Sequence, residues 1–224
     1  MLDYGSISTR SSTHVAASTK DSGSPGAPRR GARNRNPDFR WKLLHLLPVV
    51  VLCVHSILHW SYTSAETATL LCYARTLAEG GGLALQPDAV QSHGFSSLLW
   101  VLMLAGAGGL GLPLLACAKV IGLLLAGGTL YLLPGISRAL NNRTTWRPVD
   151  LVAPSLLALH PAMGLHAASG LETSLGLLLV AAALLLFVRE EHAFCQGRGC
   201  GLGSAAPLIL LVVVYPEAPV LAGA

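Results

Sequence analysis

Long stretches without a charged side chain constrain this sequence more than any other feature. Residues 95–118 contain no Asp, Glu, Lys or Arg, and after Lys119 the next charged residue is Arg138. About twenty apolar residues in a helix cross the hydrocarbon core of a bilayer. Further apolar runs cover residues 151–165, 174–188 and 205–214. The sequence therefore predicts an all-α integral membrane protein, a polytopic transmembrane helix bundle with about six spans or partial spans.

Composition and charge support a membrane protein with a basic tail. Charged residues make up 12% of the chain, against about a quarter in soluble domains. Residues 1–41 are rich in Ser, Thr, Gly, Pro and Arg, and predict a disordered tail that cannot bury enough surface to fold. Eight of the fifteen Lys and Arg residues lie in residues 1–42. Because positive charge marks the cytoplasmic side, we expect a cytoplasmic N-terminus in the cell membrane and no nucleic-acid partner.

Residues 42–224 are predicted to form the helical membrane domain, beginning with a first span at residues 43–60. The next segment, 61–94, would lie outside the cytoplasm and contain a short amphipathic helix at 65–79. Thr63 and Glu66 fit a capping box at the start of that helix, and three glycines at 80–82 end it. Its apolar residues fall on one face, so the helix is predicted to lie along the membrane surface.

The later part of the domain predicts further helices and leaves its topology open. Residues 95–133 predict two helices joined by a tight turn at 106–113. A break is expected at 166–172, between the runs 151–165 and 174–188, and residues 189–192 are expected to close the second run. Another helix begins in residues 205–214.

Two arginine-bearing loops, 137–150 and 189–203, decide the topology. If both are cytoplasmic, residues 95–136 must cross an odd number of times, so one of their two helices is partial. The alternative places 137–150 outside, exposes Asn142-Arg143-Thr144 as a glycosylation sequon and puts 166–172 inside. The positive charge of the loops favours the first version.

Cysteine and histidine residues give weak signals. The five cysteines are an odd number without a CxxC motif, which favours neither a disulfide framework nor a zinc site. His55 and His59 would share one helical face. Hydrogen-bonded histidines at a helix end are a more common arrangement than a metal site, and we favour that interpretation.

Three motifs in order resemble a known family. Residues 73–83 read Tyr-Ala-Arg-Thr-Leu-Ala-Glu-Gly-Gly-Gly-Leu, residues 93–100 read His-Gly-Phe-Ser-Ser-Leu-Leu-Trp, and residues 169–173 read Ser-Gly-Leu-Glu-Thr. Over residues 60–220 the chain is similar to GT-C glycosyltransferases such as the mycobacterial arabinofuranosyltransferases. The resemblance implies transfer of a sugar from a polyprenyl-phosphate donor to an extracytoplasmic cell-envelope acceptor.

The sequence also departs from the family pattern. Ala65-Glu66 stands where the family has paired acidic residues, Cys72 where it has Arg, and His93 where it has Glu. Residues 215–218, Tyr-Pro-Glu-Ala, stand for Arg-Pro-Glu-Gly. The family usually continues through several more helices, so we expect the helical domain to be incomplete at its C-terminus.

The resemblance also implies a set of site residues. Glu66 would be the catalytic base that deprotonates the acceptor hydroxyl. The residues implied to contact the substrate are Glu172, Arg75, His93 and Glu217. Glu66 and Glu172 each have a second interpretation, since each also fits a capping box, Glu172 with Ser169. No cofactor is expected, although a divalent cation stays open.

A second hypothesis comes from a different class. The first of the family's paired acidic residues is missing, and the helical domain is expected to be incomplete. Both features favour a non-catalytic multi-span membrane protein, such as a subunit, a small carrier or a pseudo-enzyme. The first hypothesis requires the bilayer, a lipid-linked sugar donor and a glycan acceptor as partners. No P-loop or dinucleotide-binding glycine pattern points to a soluble enzyme.

Overall fold

The computed structural model describes residue 44 and residues 46–86, 94, 96–199 and 201–215 of the 224. The predicted tail, His93 and Glu217 lie outside these residues. The described residues form helices without a β-strand, which confirms the all-α prediction. The α-helices are α1 (Leu46–Leu58), α2 (Ala65–Ala78), α3 (Leu98–Gly109), α4 (Leu114–Leu140), α5 (Val152–Leu159), α6 (Pro161–Ser169), α7 (Thr173–Cys195) and α8 (Ala205–Val214). A 3-10 turn, Pro148–Leu151, leads into α5.

Two of the described helices, α4 and α7, are long and apolar enough to cross a membrane. They have 27 and 23 residues, and at 1.5 Å per residue α7 is about 35 Å long, enough for a hydrocarbon core of about 30 Å. Helices α5 and α6 bend by 63° at their junction and give a third candidate span if they are counted as one. Helices α1, α3 and α8 are shorter, so the described residues provide two or three candidate spans.

Helices α4 and α7 pack side by side and run in the same direction. Gly128 of α4 faces Leu178 of α7, and about two turns later Gly135 faces Leu185. Further on, His192 Nε2 donates a hydrogen bond of 2.8 Å to the carbonyl of Ala139. Because parallel neighbours need a return connection, the chain must travel back between them, and α5 and α6 are that return.

The return connection bends at a proline, in addition to the predicted break. The predicted interruption at 166–172 is confirmed at residues 170–172, between α6 and α7, and the helix axis also bends between His160 and Pro161. Proline lacks an N–H and is favoured at the first position of a helix, so it ends α5 and starts α6. Gly170, with φ +85°, then ends α6 in the left-handed region.

Other predicted boundaries hold or shift. Residues 98–140 form two helices joined by a tight turn, as predicted, and the turn covers Leu110–Pro113, the last part of the predicted range 106–113. Helix α3, with 12 residues, is the shorter of the two. The prediction that residues 189–192 close the next helix is wrong, since α7 continues to Cys195. Arg, Glu and His are all compatible with a helix interior, so charge alone did not end it.

Three buried clusters hold the described helices together, and the smallest joins Ile136 of α4 to Ala181 and Leu185 of α7. The other two are larger. One joins α2, α3, α4, α7 and α8 around Tyr73, Trp100 and Leu104, and the other packs Leu52 of α1 against α4, α5 and α6. The predicted apolar face of α2 lies in the cluster around Tyr73, with Leu70 and Ala74 buried. Helix α2 therefore packs on α3 as part of the bundle.

The bundle has two distinct ends, defined by the two ends of α7. Thr67 Oγ1 of α2 donates a hydrogen bond of 2.8 Å to the carbonyl of Ser169, next to the start of α7. Residues 61–80 and 166–172 therefore share one end, the carboxylate end, as the first topology requires. The loops after α4 and α7 share the opposite end, the arginine end.

Candidate functional site

Glu66 lies in the first turn of α2 and does not form the predicted capping box. The N-cap is Ser64, whose Oγ accepts a hydrogen bond of 3.1 Å from the backbone N–H of Thr67. Thr63 lies one residue before the cap, so the prediction that it pairs with Glu66 is wrong. Glu66 is exposed, and its position in the first turn is favoured by the helix dipole.

Glu172 begins α7, and its predicted capping box with Ser169 is also wrong. Ser169 Oγ accepts a hydrogen bond of 3.3 Å from the N–H of Leu171. The Glu172 side chain makes no capping bond and instead accepts a hydrogen bond of 2.5 Å at Oε1 from Ser96 Oγ. Its Oε2 atom is buried and has no hydrogen-bond partner among the described residues.

The two carboxylates line one cavity of about 380 Å³, which we call the carboxylate cavity. The walls come from the start of α2, the segment before α3, the start of α7 and the residue after α8. The lining residues are Glu66, Thr69, Leu70, Gly94, Ser96, Leu171, Glu172, Thr173 and Tyr215. The structure thus brings together two glutamates that the sequence assigned to one site.

Buried hydrogen bonds fix the backbone beside this cavity. Trp100 is fully buried, and its Nε1 donates a hydrogen bond of 3.1 Å to the carbonyl of Gly170. The Thr67 bond to the preceding carbonyl acts on the same turn. A buried carbonyl without a partner is costly, so both donors stabilise the turn that positions Glu172.

Lys119 ties a second segment to the same end. It is 97% buried in α4, and its ammonium donates to the backbone carbonyls of Trp60 and Tyr62 and lies 5.6 Å from the Trp60 ring centroid. An intramembrane lysine is a functional candidate by default. Here its bonds to two carbonyls give it a structural role in anchoring the segment after α1.

The cavity can accept hydrogen bonds and protons but supplies little positive charge. Among its described lining residues there are two carboxylates and no Lys or Arg. In the described part of the chain, no group of three or more His, Cys, Asp or Glu side chains is arranged to hold a metal ion. A carboxylate can accept a hydrogen bond from a hydroxyl group, and it can also accept a proton.

Arg75 does not line this cavity. It lies nine residues after Glu66, which at 100° per residue places it on the opposite face of α2. Its Nε donates a hydrogen bond of 2.9 Å to Oε1 of Glu79, and both side chains are largely exposed. The same hydrogen bond raises the pKa of Arg75. His93 and Glu217, the other two predicted contacts, lie outside the described residues.

Two cavity residues, Ser96 and Tyr215, received no role from the sequence. Ser96 falls inside the motif at residues 93–100, which was the available signal, whereas Tyr215 stands where the resembled family has Arg. Two histidines follow the favoured interpretation: His55 Nδ1 lies 3.2 Å from the Ala158 carbonyl and His59 Nδ1 lies 2.9 Å from the His55 carbonyl. Both are hydrogen-bonded to backbone.

Comparison with known proteins gives no relative for this chain: no family model, curated protein or solved structure matches it. Functional inference therefore depends on the motifs and on the geometry of the carboxylate cavity.

Proposed function

We propose that the chain is a membrane glycosyltransferase that moves a sugar from a polyprenyl-phosphate donor to an extracytoplasmic cell-envelope acceptor. The observation that carries this proposal is the carboxylate cavity. It joins Glu66 and Glu172, which come from distant parts of the sequence, and leaves one oxygen of Glu172 buried without a partner among the described residues. A buried carboxylate oxygen is costly unless a ligand or solvent group satisfies it.

In the proposed reaction, Glu66 is the general base and Glu172 binds the substrate. The acceptor oxygen attacks the anomeric carbon while the bond between that carbon and the phosphate oxygen breaks. The acceptor proton passes to Glu66, and polyprenyl phosphate leaves with the bonding electrons. The Glu172 carboxylate accepts a hydrogen bond from a sugar hydroxyl, and the bond from Ser96 Oγ to Oε1 holds the carboxylate in place.

The position of the cavity at one end of α7 suits a lipid-linked donor. Because α7 is long enough to cross the hydrocarbon core, its first residues lie near the headgroup level, where the phosphate of a polyprenyl donor resides. The apolar lining residues Leu70 and Leu171 give the donor a partly apolar wall.

The same proposal includes an orientation in the cell membrane. Five arginines lie in the two loops at the arginine end: Arg138, Arg143, Arg147, Arg189 and Arg198. Positive charge favours the cytoplasmic side, which puts the carboxylate cavity outside the cytoplasm and the N-terminus inside. Six spans or partial spans would then include the shorter helices α1, α3 and α8.

The test is sugar transfer by the full chain in proteoliposomes supplied with a radiolabelled polyprenyl-phosphate pentose or hexose and a glycan acceptor. We expect Glu66→Gln to lower the transfer rate by about 10²–10⁴-fold, the usual contribution of a general base. Glu172→Gln should mainly raise the KM for the acceptor or donor. Glu79→Gln is the matched control, because that carboxylate is exposed on α2 and does not line the cavity.

Two outcomes would contradict the proposal. Transfer that survives Glu66→Gln would remove the base assignment. Absence of transfer by the wild-type chain with both sugar classes would favour the non-catalytic membrane protein, provided that the protein is folded and inserted by circular dichroism and flotation.

A further inference from the structure

A second cavity, of about 440 Å³, lies at the arginine end between the C-terminal ends of α4 and α7. We call it the arginine cavity. Four guanidinium groups line it, from Arg138, Arg143, Arg189 and Arg198, and none of its lining residues is acidic. Such a concentration of like charge around one space is unfavourable unless an anion or solvent compensates it.

Contacts within the protein compensate part of this positive charge. Arg143 Nη2 lies 3.3 Å from Oδ1 of the buried Asp150, and the Arg138 guanidinium stacks on Trp146 at 3.6 Å from the ring centroid. Arg143 Nη1 is buried with no hydrogen-bond partner in the part of the chain that the structure describes. Within the same described residues, Arg189 and Arg198 form no salt bridge. Among the described residues, Arg189 and Arg198 therefore keep donors for an anion.

Helix ends explain only some of these residues. The carbonyl groups at a helix C-terminus attract cations, and Arg138 Nε donates to the carbonyl of Pro134 in this way, at 3.4 Å. Arg143 lies beyond the end of α4 and Arg198 beyond the end of α7, and both line the cavity. A favourable interaction with the helix dipoles would not require the Arg143 and Arg198 side chains to line the same cavity.

The location of the cavity identifies the anion. From Glu172 to His192 is twenty residues of helix, about 30 Å, which equals the thickness of the hydrocarbon core. His192 lines the arginine cavity and Glu172 lines the carboxylate cavity, so the two cavities are separated by about one membrane thickness. The arginine cavity therefore lies at the headgroup level of the opposite leaflet.

We propose that the arginine cavity binds the phosphate of an anionic phospholipid headgroup. Guanidinium groups bind phosphate oxygens through paired, charge-assisted hydrogen bonds. Basic pockets between membrane helices are suited to anionic headgroups, and 440 Å³ lies in the range of small-ligand sites. The lipid would join α4 to α7 at this end.

The test is lipid retention by the purified full chain in detergent, measured by native mass spectrometry after adding phosphatidylglycerol or phosphatidylcholine. We expect wild-type protein to retain phosphatidylglycerol preferentially. Arg189→Gln with Arg198→Gln should weaken that retention by about 30-fold, at about fivefold for each arginine. Arg147→Gln is the matched control, since this exposed arginine lies in the same loops but not on the cavity.

Defined outcomes separate the possibilities. Equal retention by wild type and the double variant, or an equal loss in Arg147→Gln, would overturn the proposal. A third arm adds glycerol phosphate or inorganic phosphate without lipid. Binding of these soluble anions as tight as that of the lipid would overturn the lipid assignment. Both substituted side chains are exposed, and a thermal melt identical to wild type would verify that the double variant is folded.

Discussion

Helix α1 crosses α6 at Gly164, where a Cβ atom would lie 2.7 Å from the Cβ of His55 and 3.4 Å from its backbone carbonyl carbon. A rotamer change cannot relieve this contact, because the Cβ of His55 is fixed by the backbone. In Gly164→Ala the helices must move apart by about 0.7 Å or more to reach ordinary contact. That movement lengthens the bonds from His55 to the Ala158 carbonyl and from Ser56 to the Gly164 carbonyl, now 3.2 and 3.5 Å.

The expected free-energy change follows from opposing terms. Overpacking a close contact costs about 1–3 kcal/mol, and a weakened hydrogen bond adds up to about 1 kcal/mol. Alanine gains about 0.5–1 kcal/mol over glycine inside a helix. We therefore expect Gly164→Ala to lower the free energy of unfolding by about 1–3 kcal/mol. Gly106→Ala in α3 is the control: no described atom lies within 4 Å of its added Cβ, so it should raise stability by about 0.5–1 kcal/mol.

The assay is unfolding of the detergent-solubilised chain by SDS, followed by far-UV circular dichroism. Opposite signs for the two glycines would support close packing of α1 on α6. If both substitutions stabilised the protein, or if Gly164→Ala left it unchanged, the 2.7 Å approach and the packing of α1 described above would be refuted.

Three further predictions address topology and the buried polar groups. Cys72 lies at the carboxylate end and Cys195 at the arginine end, and each can be kept as the single cysteine of a variant. A membrane-impermeant maleimide should label Cys72 on intact cells and Cys195 only after permeabilisation. Labelling of both from outside would contradict the orientation. Thr67→Val should lower the free energy of unfolding by about 1–3 kcal/mol, because the buried carbonyl of Ser169, at the end of α6, loses its donor. Chemical denaturation measures this change, and it would be smaller if solvent replaced the lost donor. Asp150→Ala should lower the free energy of unfolding by about 1–3 kcal/mol, because the partly buried Arg143 loses its carboxylate and the Ser137 hydroxyl loses its acceptor. An unchanged melting temperature would show that these interactions are dispensable.

Charge-free runs and glycine or proline positions made most helices predictable. The starting residues of α2 and α8 and the turn between α3 and α4 agree with the sequence, because capping residues, glycines and Pro113 act locally. The end of α7 was not predictable from local signals, since Arg, Glu and His residues continue a helix as readily as they follow one. The bend at Pro161 was overlooked because the run around it is apolar on both sides.

Side-chain partners depended on tertiary contacts. Both glutamates fitted capping boxes in the sequence, yet a different residue, Ser64, caps α2, and Glu172 bonds to Ser96. A capping motif shows which hydrogen bonds can form at the start of a helix, whereas the packing of distant segments decides which of them do form. Arg75 shared a loop with Glu66 in the sequence but points away from it, because helical periodicity separates residues that lie nine positions apart.

The sequence by itself determined that this chain is helical and apolar enough for a membrane, because uncharged runs and their breaks are local properties of the backbone and its solvent. Only the tertiary structure decided that α4 and α7 run parallel and that the intervening helices return. That arrangement gathers two glutamates at one end and four arginines at the other. The physical reason is that helix direction and pairing depend on contacts between residues far apart in the chain, such as Thr67 with Ser169 and His192 with Ala139.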